Sequence, residues 1–440
     1  MRRSAVSAVA LVAALSAIPL ATAGMAAADT ATYREFDQFM DVFNRIKSDY
    51  VDKVDDQTLI KGAIQGMLTS LDPHSNYVDA LDFQNLRIMT EGNYGGLGLT
   101  VSMEDGAVKV VAPQEDTPAF RAGIKAGDYI THIDGKLIYG ETLDQAINVM
   151  RGKPGTKIAL TLVRPGTTKP IDVAMVREVI TQRPVKWEVR GQVGYININT
   201  FSENTGADTR AAIMAIEKSL GRRPLGYVVD LRDNGGGLLT QAIAVSDAFL
   251  ERGEIVSQRG RGKTDIERYF AKPGDEAHGL PVVVLTNAGT ASASEIVAGA
   301  IQDHHRGIVM GERSFGKGSV QGVSEIGKDK ALRLTIARYY TPSGKSVQAG
   351  GIDPDIVVPQ LSDPDYKDRP TIREADLRRH LIAQNKVDDK LLEKDEAVDP
   401  RFSATAAELE KKGVKDFQLD YAVKALKRLA AGPGGAPRAR

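Results

Sequence analysis

Leu280-Pro281-Val282-Val283-Val284-Leu285 runs directly into Thr286-Asn287-Ala288-Gly289-Thr290-Ala291-Ser292-Ala293-Ser294-Glu295, and this junction decides how the second half of the chain is read. The first six residues form a short apolar run rich in β-branched side chains, the pattern of a strand buried on both faces. Beyond Glu295, the apolar residues Ile296, Val297, Ala300 and Ile301 recur at helical spacing. Ser292 therefore falls at a strand-to-helix turn. Unpaired N–H groups and the positive dipole end of a helix N-terminus can stabilise an oxyanion there. Serine and threonine ahead of a helix more often serve as caps, so this stretch alone does not choose between a cap and a nucleophile.

The neighbouring sequence extends the pattern. Leu225-Gly226-Tyr227-Val228-Val229-Asp230-Leu231-Arg232 reads as a buried strand, Asp233-Asn234-Gly235-Gly236-Gly237 as a turn, and residues 238–250 as a helix. Gly307-Ile308-Val309-Met310-Gly311 reads as a third strand. Strands alternating with helices predict right-handed crossovers and a parallel sheet, with ligand chemistry at the strands' carboxyl ends. Both the glycine turn and the serine turn fall at such ends.

The first half has a different texture. Phe36, Phe39, Met40, Phe43 and Ile46, then Leu59, Ile60, Ile64, Met67 and Leu68, repeat with helical spacing until Asp72-Pro73-His74-Ser75 breaks the pattern. From Tyr94 to about Arg164 short strands alternate with glycine turns. Gly95-Gly96-Leu97-Gly98-Leu99-Thr100-Val101, Ala122-Gly123-Ile124-Lys125-Ala126-Gly127-Asp128 and Ile133-Asp134-Gly135 occur together, with a helix at 143–150 and a strand at 157–163. This order resembles a PDZ domain. Gly96, Leu97 and Gly98 would then be the loop whose N–H groups converge on a peptide's terminal carboxylate, and Leu99 to Val101 the edge that adds the peptide as a strand. From about Gln360 the sequence is polar and helical in pattern, at 375–381 and 421–429, before a Gly/Pro/Ala tail from Ala430 to Arg440.

At 440 residues the chain is too long for one core. Lysine plus arginine equals aspartate plus glutamate, 57 each, and aromatic residues are only 6%, which argues against nucleic acid as a partner. Met1-Arg2-Arg3, an apolar run from Ala5 to about Leu20, and Ala26-Ala27-Ala28 before Asp29 predict a secretory signal peptide cleaved after Ala28. An uncleaved anchor is the alternative, since 5–28 could just span a bilayer. The expected location is the periplasm. With no cysteine there is no disulfide and no lipid-attachment site.

A serine hydroxyl needs a base, and none of the six histidines lies in a recognisable triad motif; His304-His305 reads as a solvated helix end. No metal-binding spacing occurs, and no cofactor is expected. A buried lysine with a lowered pKa can replace histidine. Ser314-Phe315-Gly316-Lys317-Gly318-Ser319-Val320-Gln321 supplies one, with Gln321 at an even offset that in an extended segment would share a face with Lys317.

The ordered set of a PDZ domain, Asp230-Leu231-Arg232-Asp233-Asn234-Gly235-Gly236-Gly237, Gly289-Thr290-Ala291-Ser292-Ala293-Ser294-Glu295 and Phe315-Gly316-Lys317-Gly318-Ser319-Val320-Gln321 resembles the carboxy-terminal processing, or tail-specific, proteases. The resemblance runs from about Phe36 to Val358 and includes Gly351-Ile352-Asp353-Pro354-Asp355. It implies a multidomain α/β protein with a crotonase- or ClpP-like protease core, an inserted β-rich PDZ domain and helical N- and C-terminal regions. The implied boundaries are 1–28 for the signal peptide, 29–86 helical, 87–168 PDZ, 169–360 protease and 361–440 helical. It also implies Ser292 as nucleophile, Lys317 as general base and Gln321 as the residue orienting the lysine. The oxyanion donors would be the N–H of Ala293 and that of Gly237, with Gly236 as the alternative. Asp303 matches an acidic position sometimes counted with the catalytic set; Arg306 close by reads it as an ion-pair residue. Implied partners are protein substrates held by their C-terminal tails and a lipoprotein adaptor, and the helical ends could pair subunits. Two rival readings stay open here: a PDZ-bearing binding protein without cleavage, and a crotonase-like enzyme acting on coenzyme A thioesters.

Overall fold

The computed structural model describes residues 30–104, 106–366, 371–382 and 402–431. The expected signal peptide at 1–28 lies outside the described residues, as does 432–440 of the expected tail; Ala430 and Ala431 instead complete the last helix. Contacts divide the chain into two compact units, Met1–Ile64 and Gln65–Arg440. The first holds helix α1 (Thr30–Asp49) and the start of α2 (Asp56–Thr69). Asp55 caps α2 by accepting the Thr58 N–H at 2.9 Å, and Lys47 pairs with Asp56 at 2.7 Å.

The second unit opens with strand β1 (Asn76–Val78) and helix α3 (Ala80–Glu91), which Asp79 caps and Gly92 ends in the left-handed conformation. Strands β2 (Asn93–Gly96), β3 (Leu99–Glu104) and β4 (Ala107–Pro113), helix α4 (Pro118–Arg121), strands β5 (Tyr129–Ile133) and β6 (Lys136–Leu137), helix α5 (Leu143–Met150) and strands β7 (Lys157–Val163), β8 (Ile171–Val176) and β9 (Glu178–Thr181) follow. The sheet β3-β4-β5-β7-β8 encloses its own core, with Val108, Val110, Ile130, Leu160 and Leu162 almost wholly buried. Strand β3 is an edge, so one row of its backbone groups is unpaired within the sheet. Strands β2 and β9 pair antiparallel, Gly96 opposite Glu178 and Asn93 opposite Thr181, so the chain enters and leaves this domain through one two-stranded neck.

The rest comprises β10 (Val185–Arg190), β11 (Val193–Ile198), α6 (Thr205–Leu220), β12 (Tyr227–Asp230), α7 (Leu239–Asp247), β13 (Gly253–Arg259), β14 (Ile266–Ala271), β15 (Val282–Thr286), α8 (Ala293–Asp303), β16 (Ile308–Gly311), β17 (Ser319–Ile326), β18 (Lys330–Tyr340), β19 (Ile356–Val357), α9 (Ala406–Lys411) and α10 (Phe417–Ala431). The central sheet has the order β10-β11-β12-β15-β16-β19, parallel except at β10. Its inner strands β12, β15 and β16 are mostly apolar because both of their faces are covered. Tyr227, Val229, Val282 and Val284 join the core under α6, α7 and α8, whereas Val228, Val283 and Leu285 face Leu419, Ala422 and Leu426 of α10. Burying Leu419 and Leu426 contributes about 3–6 kcal/mol before conformational entropy is subtracted. A second, antiparallel sheet has the order β1-β18-β13-β14, with β17 also on β18.

The helix expected at 375–381 is only a 3₁₀ turn at Glu374–Asp376. Long-range bonds fix this segment instead. Glu374, fully buried, binds the His74 ring at 2.8 Å and the Gln348 amide at 2.8 Å, and Arg373 donates to the carbonyls of Arg313 and Ser314.

Candidate active site

Beyond β15 the chain is tied down bond by bond. Thr290 Oγ1 accepts the Asn287 N–H and donates to the Leu231 carbonyl, while the Ala291 N–H donates to the Asn234 carbonyl. These anchors hold Ser292 at φ 55°, ψ −114°, a conformation L-residues seldom adopt and one that recurs at functional sites. The Ser292 N–H donates to Glu295 Oε2 at 2.7 Å. Ala293 opens α8, and its N–H, one of the helix's orphan donors, has no acceptor among the described residues.

The glycine turn lies directly against this serine. Gly236 and Gly237 have φ of 101° and 145°, and a Cβ on Gly236 would come within 2.9 Å of both Ser292 Cβ and the Ala293 nitrogen. A Cβ on Gly237 would lie 2.3 Å from the Phe201 carbonyl oxygen. Only glycine fits at either position. The two differ as donors: the Gly236 N–H is spent on Asn234 Oδ1 at 2.9 Å, whereas that of Gly237 has no acceptor among the described residues.

Lys317 is carried on a loop after β16 that Glu295 organises. This carboxylate is fully buried; Oε1 accepts the Ser314 hydroxyl at 2.5 Å and the Gly316 N–H at 2.7 Å, and Oε2 accepts the N–H groups of Ser292 and Lys317 at 2.7 and 2.9 Å. One side chain thus joins the serine turn to the lysine loop. Burial pushes its pKa up to about 7, against the opposing pull of those four donors. Burial is also the main cause that lowers the Lys317 amine below the usual lysine value, and the Arg333 guanidinium adds to it; Glu374, Glu295 and Asp72 act in the opposite sense.

Lys317 and Gln321 do not share an extended segment. Lys317 precedes β17, and the β17–β18 pairing slips between Val320 and Gln321. The extra residue of this slip, Ile336, lies on β18, so Gln321 keeps its place in β17 while Lys317 stays on the loop ahead of it. The Gln321 amide donates to Ser319 Oγ and Thr335 Oγ1 at 3.1 and 3.0 Å. Thr335 in turn takes Ser75 Oγ on its N–H, and Ser75 donates to Asp72. Among the described residues no hydrogen bond joins Ser292 Oγ, Lys317 Nζ and Gln321. Asp303 is not paired with Arg306: it accepts the Ser343 N–H at 2.8 Å, and Arg306 binds Asp275. His304 is half-buried, not solvated, with its ring on the Glu254 carbonyl at 2.7 Å.

Gly96, Leu97 and Gly98 border a groove of about 770 Å3 between the edge strand β3 and helix α5, whose Ile147 and Met150 form an apolar wall. Its far side belongs to the α/β part of the chain and includes Arg183, Lys186 and Thr200. Thr200 precedes Phe201, whose N–H holds the Gly236 carbonyl at 3.1 Å. The groove and the glycine turn are therefore joined through one short segment. Glu295 and Asn234 were not anticipated as site residues, although Ser292-Ala293-Ser294-Glu295 carries the spacing of a capping box.

Residues 192–358 match the model of peptidase family S41, residues 95–175 a PDZ domain and residues 15–81 the activating protease CtpB N-terminal domain. A carboxy-terminal-processing protease of Bartonella bacilliformis is 48% identical over 398 residues, 90% of this chain and 89% of that protein. The carboxy-terminal processing proteases CtpA and CtpB of Bacillus subtilis are each 36% identical, covering 76% and 78% of this chain and 71% of each relative.

Proposed function

From the premise that the chain belongs to peptidase family S41 and is a serine-type carboxy-terminal processing protease with a PDZ domain, we propose that Ser292 is its nucleophile, Lys317 its general base and Gln321 an orienting residue. The observation that carries this reading is the pairing of two unspent amides, Ala293 and Gly237, on adjoining turns that meet at a strained serine. Donors fixed before reaction stabilise a developing oxyanion at no reorganisation cost. The tail of a protein substrate docks on Gly96, Leu97 and Gly98 and extends along β3. Ser292 Oγ attacks a peptide carbonyl of that substrate while the neutral Lys317 amine takes the hydroxyl proton. The ammonium returns the proton to the leaving amine, and water then releases the acyl-enzyme.

For this, Lys317 must reach Ser292, and catalytic hydrogen bonds commonly close only in the complex with substrate. Tail binding drives the closure in this reading, because the groove reaches Thr200 and the next residue holds Gly236. The signal-peptide pattern supports a periplasmic location and exported substrates in this reading. The test is cleavage of a protein with an apolar C-terminal tail by the parent and by Ser292→Ala. Tail binding should persist while cleavage disappears, and equal cleavage would refute the serine assignment. A tail peptide should raise turnover of a substrate that does not bind the PDZ domain; an unchanged rate would refute the coupling.

A further inference from the structure

Within the glycine turn lies a fully buried asparagine that takes no part in the proposed chemistry, and its bonds join that turn to β11 and to the serine turn. Asn234 Nδ2 donates to the carbonyl of Ile198, the last residue of β11, at 2.7 Å. Its Oδ1 accepts the Gly236 N–H at 2.9 Å. Its own carbonyl accepts the Ala291 N–H at 3.0 Å and the Ser294 hydroxyl at 2.9 Å, on either side of Ser292.

The consequence for the glycine turn follows from peptide geometry. The Gly236 N–H is fixed by Asn234 and the Gly236 carbonyl by the Phe201 N–H, so both peptide planes around Gly236 are set. In a trans peptide the carbonyl and the following N–H point in opposite directions. The Gly237 N–H is therefore turned away from Phe201 and left unspent. With Oδ1 absent, the Gly236 N–H would be an orphan donor free to rotate into the same space, and the turn, with two glycines at positive φ, has little stiffness of its own.

Resting on the assignment of Ser292 and its oxyanion donors above, we propose that Asn234 is the positioning residue of this site, fixing the separation between the Gly237 and Ala293 amides. It acts through those amides and does not touch the substrate. It holds the glycine turn with its side chain and the serine turn with its main chain, so a substitution removes only the first grip.

The experiment compares the full-length parent with Asn234→Ala, Asn234→Asp and Ser292→Ala. It measures kcat and KM on a peptide substrate, affinity for a peptide boronate that forms a tetrahedral adduct with serine, and affinity for a tail peptide. Asn234→Ala should lower kcat about 100-fold and weaken the boronate by a similar factor, with KM and tail affinity within about 3-fold. Asn234→Asp keeps an acceptor for Gly236 but sets its second oxygen against the Ile198 carbonyl, where only the protonated acid can donate, so its kcat should lie between the two at a pH where that acid is neutral. A kcat for Asn234→Ala within about 3-fold of the parent overturns the proposal. So does a fall in kcat matched by equal loss of tail affinity, or failure of both variants to fold, since each would assign Asn234 to general structure. An active Ser292→Ala would instead refute the underlying site, while a dead Ser292→Ala beside a fully active Asn234→Ala would refute this inference alone.

Discussion

Glu295→Gln separates what the buried carboxylate does for stability from what it does for geometry. The native side chain accepts four hydrogen bonds, two on each oxygen. A glutamine has one acceptor oxygen. Aimed at Ser292 and Lys317, it leaves its NH2 facing the Gly316 N–H and a Ser314 hydroxyl that already accepts the Ile352 N–H at 2.7 Å. One buried donor then loses its partner, at about 1–3 kcal/mol. The charge term has the opposite sign. A carboxyl whose folded pKa is raised adds stability that is complete below its unfolded value and is lost as pH rises through the folded one. Here that window runs from 4.5 to about 7. At about 1.4 kcal/mol per pH unit, the parent should lose about 3 kcal/mol from this group alone between pH 4.5 and 8.5. Glutamine does not titrate, so its stability should fall by about 3 kcal/mol less over the same interval. The assay is urea unfolding at both pH values, in a Ser292→Ala background so that self-cleavage does not intrude. Parallel stability–pH curves for the two chains would refute the reasoning. In the active background, kcat should fall by one to two orders of magnitude because the serine turn and lysine loop are no longer pinned together.

Two further outcomes follow from buried charge. Activity should rise with pH as Lys317 loses its proton, and Arg333→Gln, which removes a cation that holds this lysine's pKa down, should move that limb to higher pH in kcat/KM profiles; a limb that stays put or moves lower contradicts the arrangement. Arg232 is nearly buried between Asp230 and Asp416, with Tyr195 also bonded to Asp230, and it fastens the start of α10 to the strand that leads into the glycine turn. Arg232→Ala strands the buried Asp230 and should cost about 3–5 kcal/mol by chemical denaturation, with a loss under 1 kcal/mol counting against that role.

The parts of this protein legible in its sequence are those written in local periodicity. The apolar run 280–285 and the helical spacing after Glu295 predict a strand, a turn and a helix, observed as β15 at Val282–Thr286 and α8 at Ala293–Asp303, because a strand covered on both faces is nearly continuous in apolar residues. Helix α5 and strand β7 fall at the residues their patterns indicated, 143–150 and 157–163, because glycine turns and the Thr142 capping box bound them. Residues 375–381 mark where periodicity fails: their spacing is helical, yet a buried Glu374 satisfied by His74 and Gln348, 300 and 26 residues away, leaves only one 3₁₀ turn. The site divides in the same way. Glycines at 236 and 237 and a serine before a helix signal backbone demands that any sequence reader can see. The register slip at Ile336, opposite Gln321, arises from how β17 meets β18, and the partners of Gln321, at Thr335 and through it Ser75 and Asp72, come from distant stretches. Glu295 is the instructive middle case. Its spacing from Ser292 announces a capping box, and its Oε2 does accept the Ser292 N–H. Nothing local announces that the same carboxylate will be sealed from water and reach the loop that carries Lys317. That second role depends on α8 being buried on the residues around it, which is a property of the assembled sheet and its two covering layers rather than of any segment.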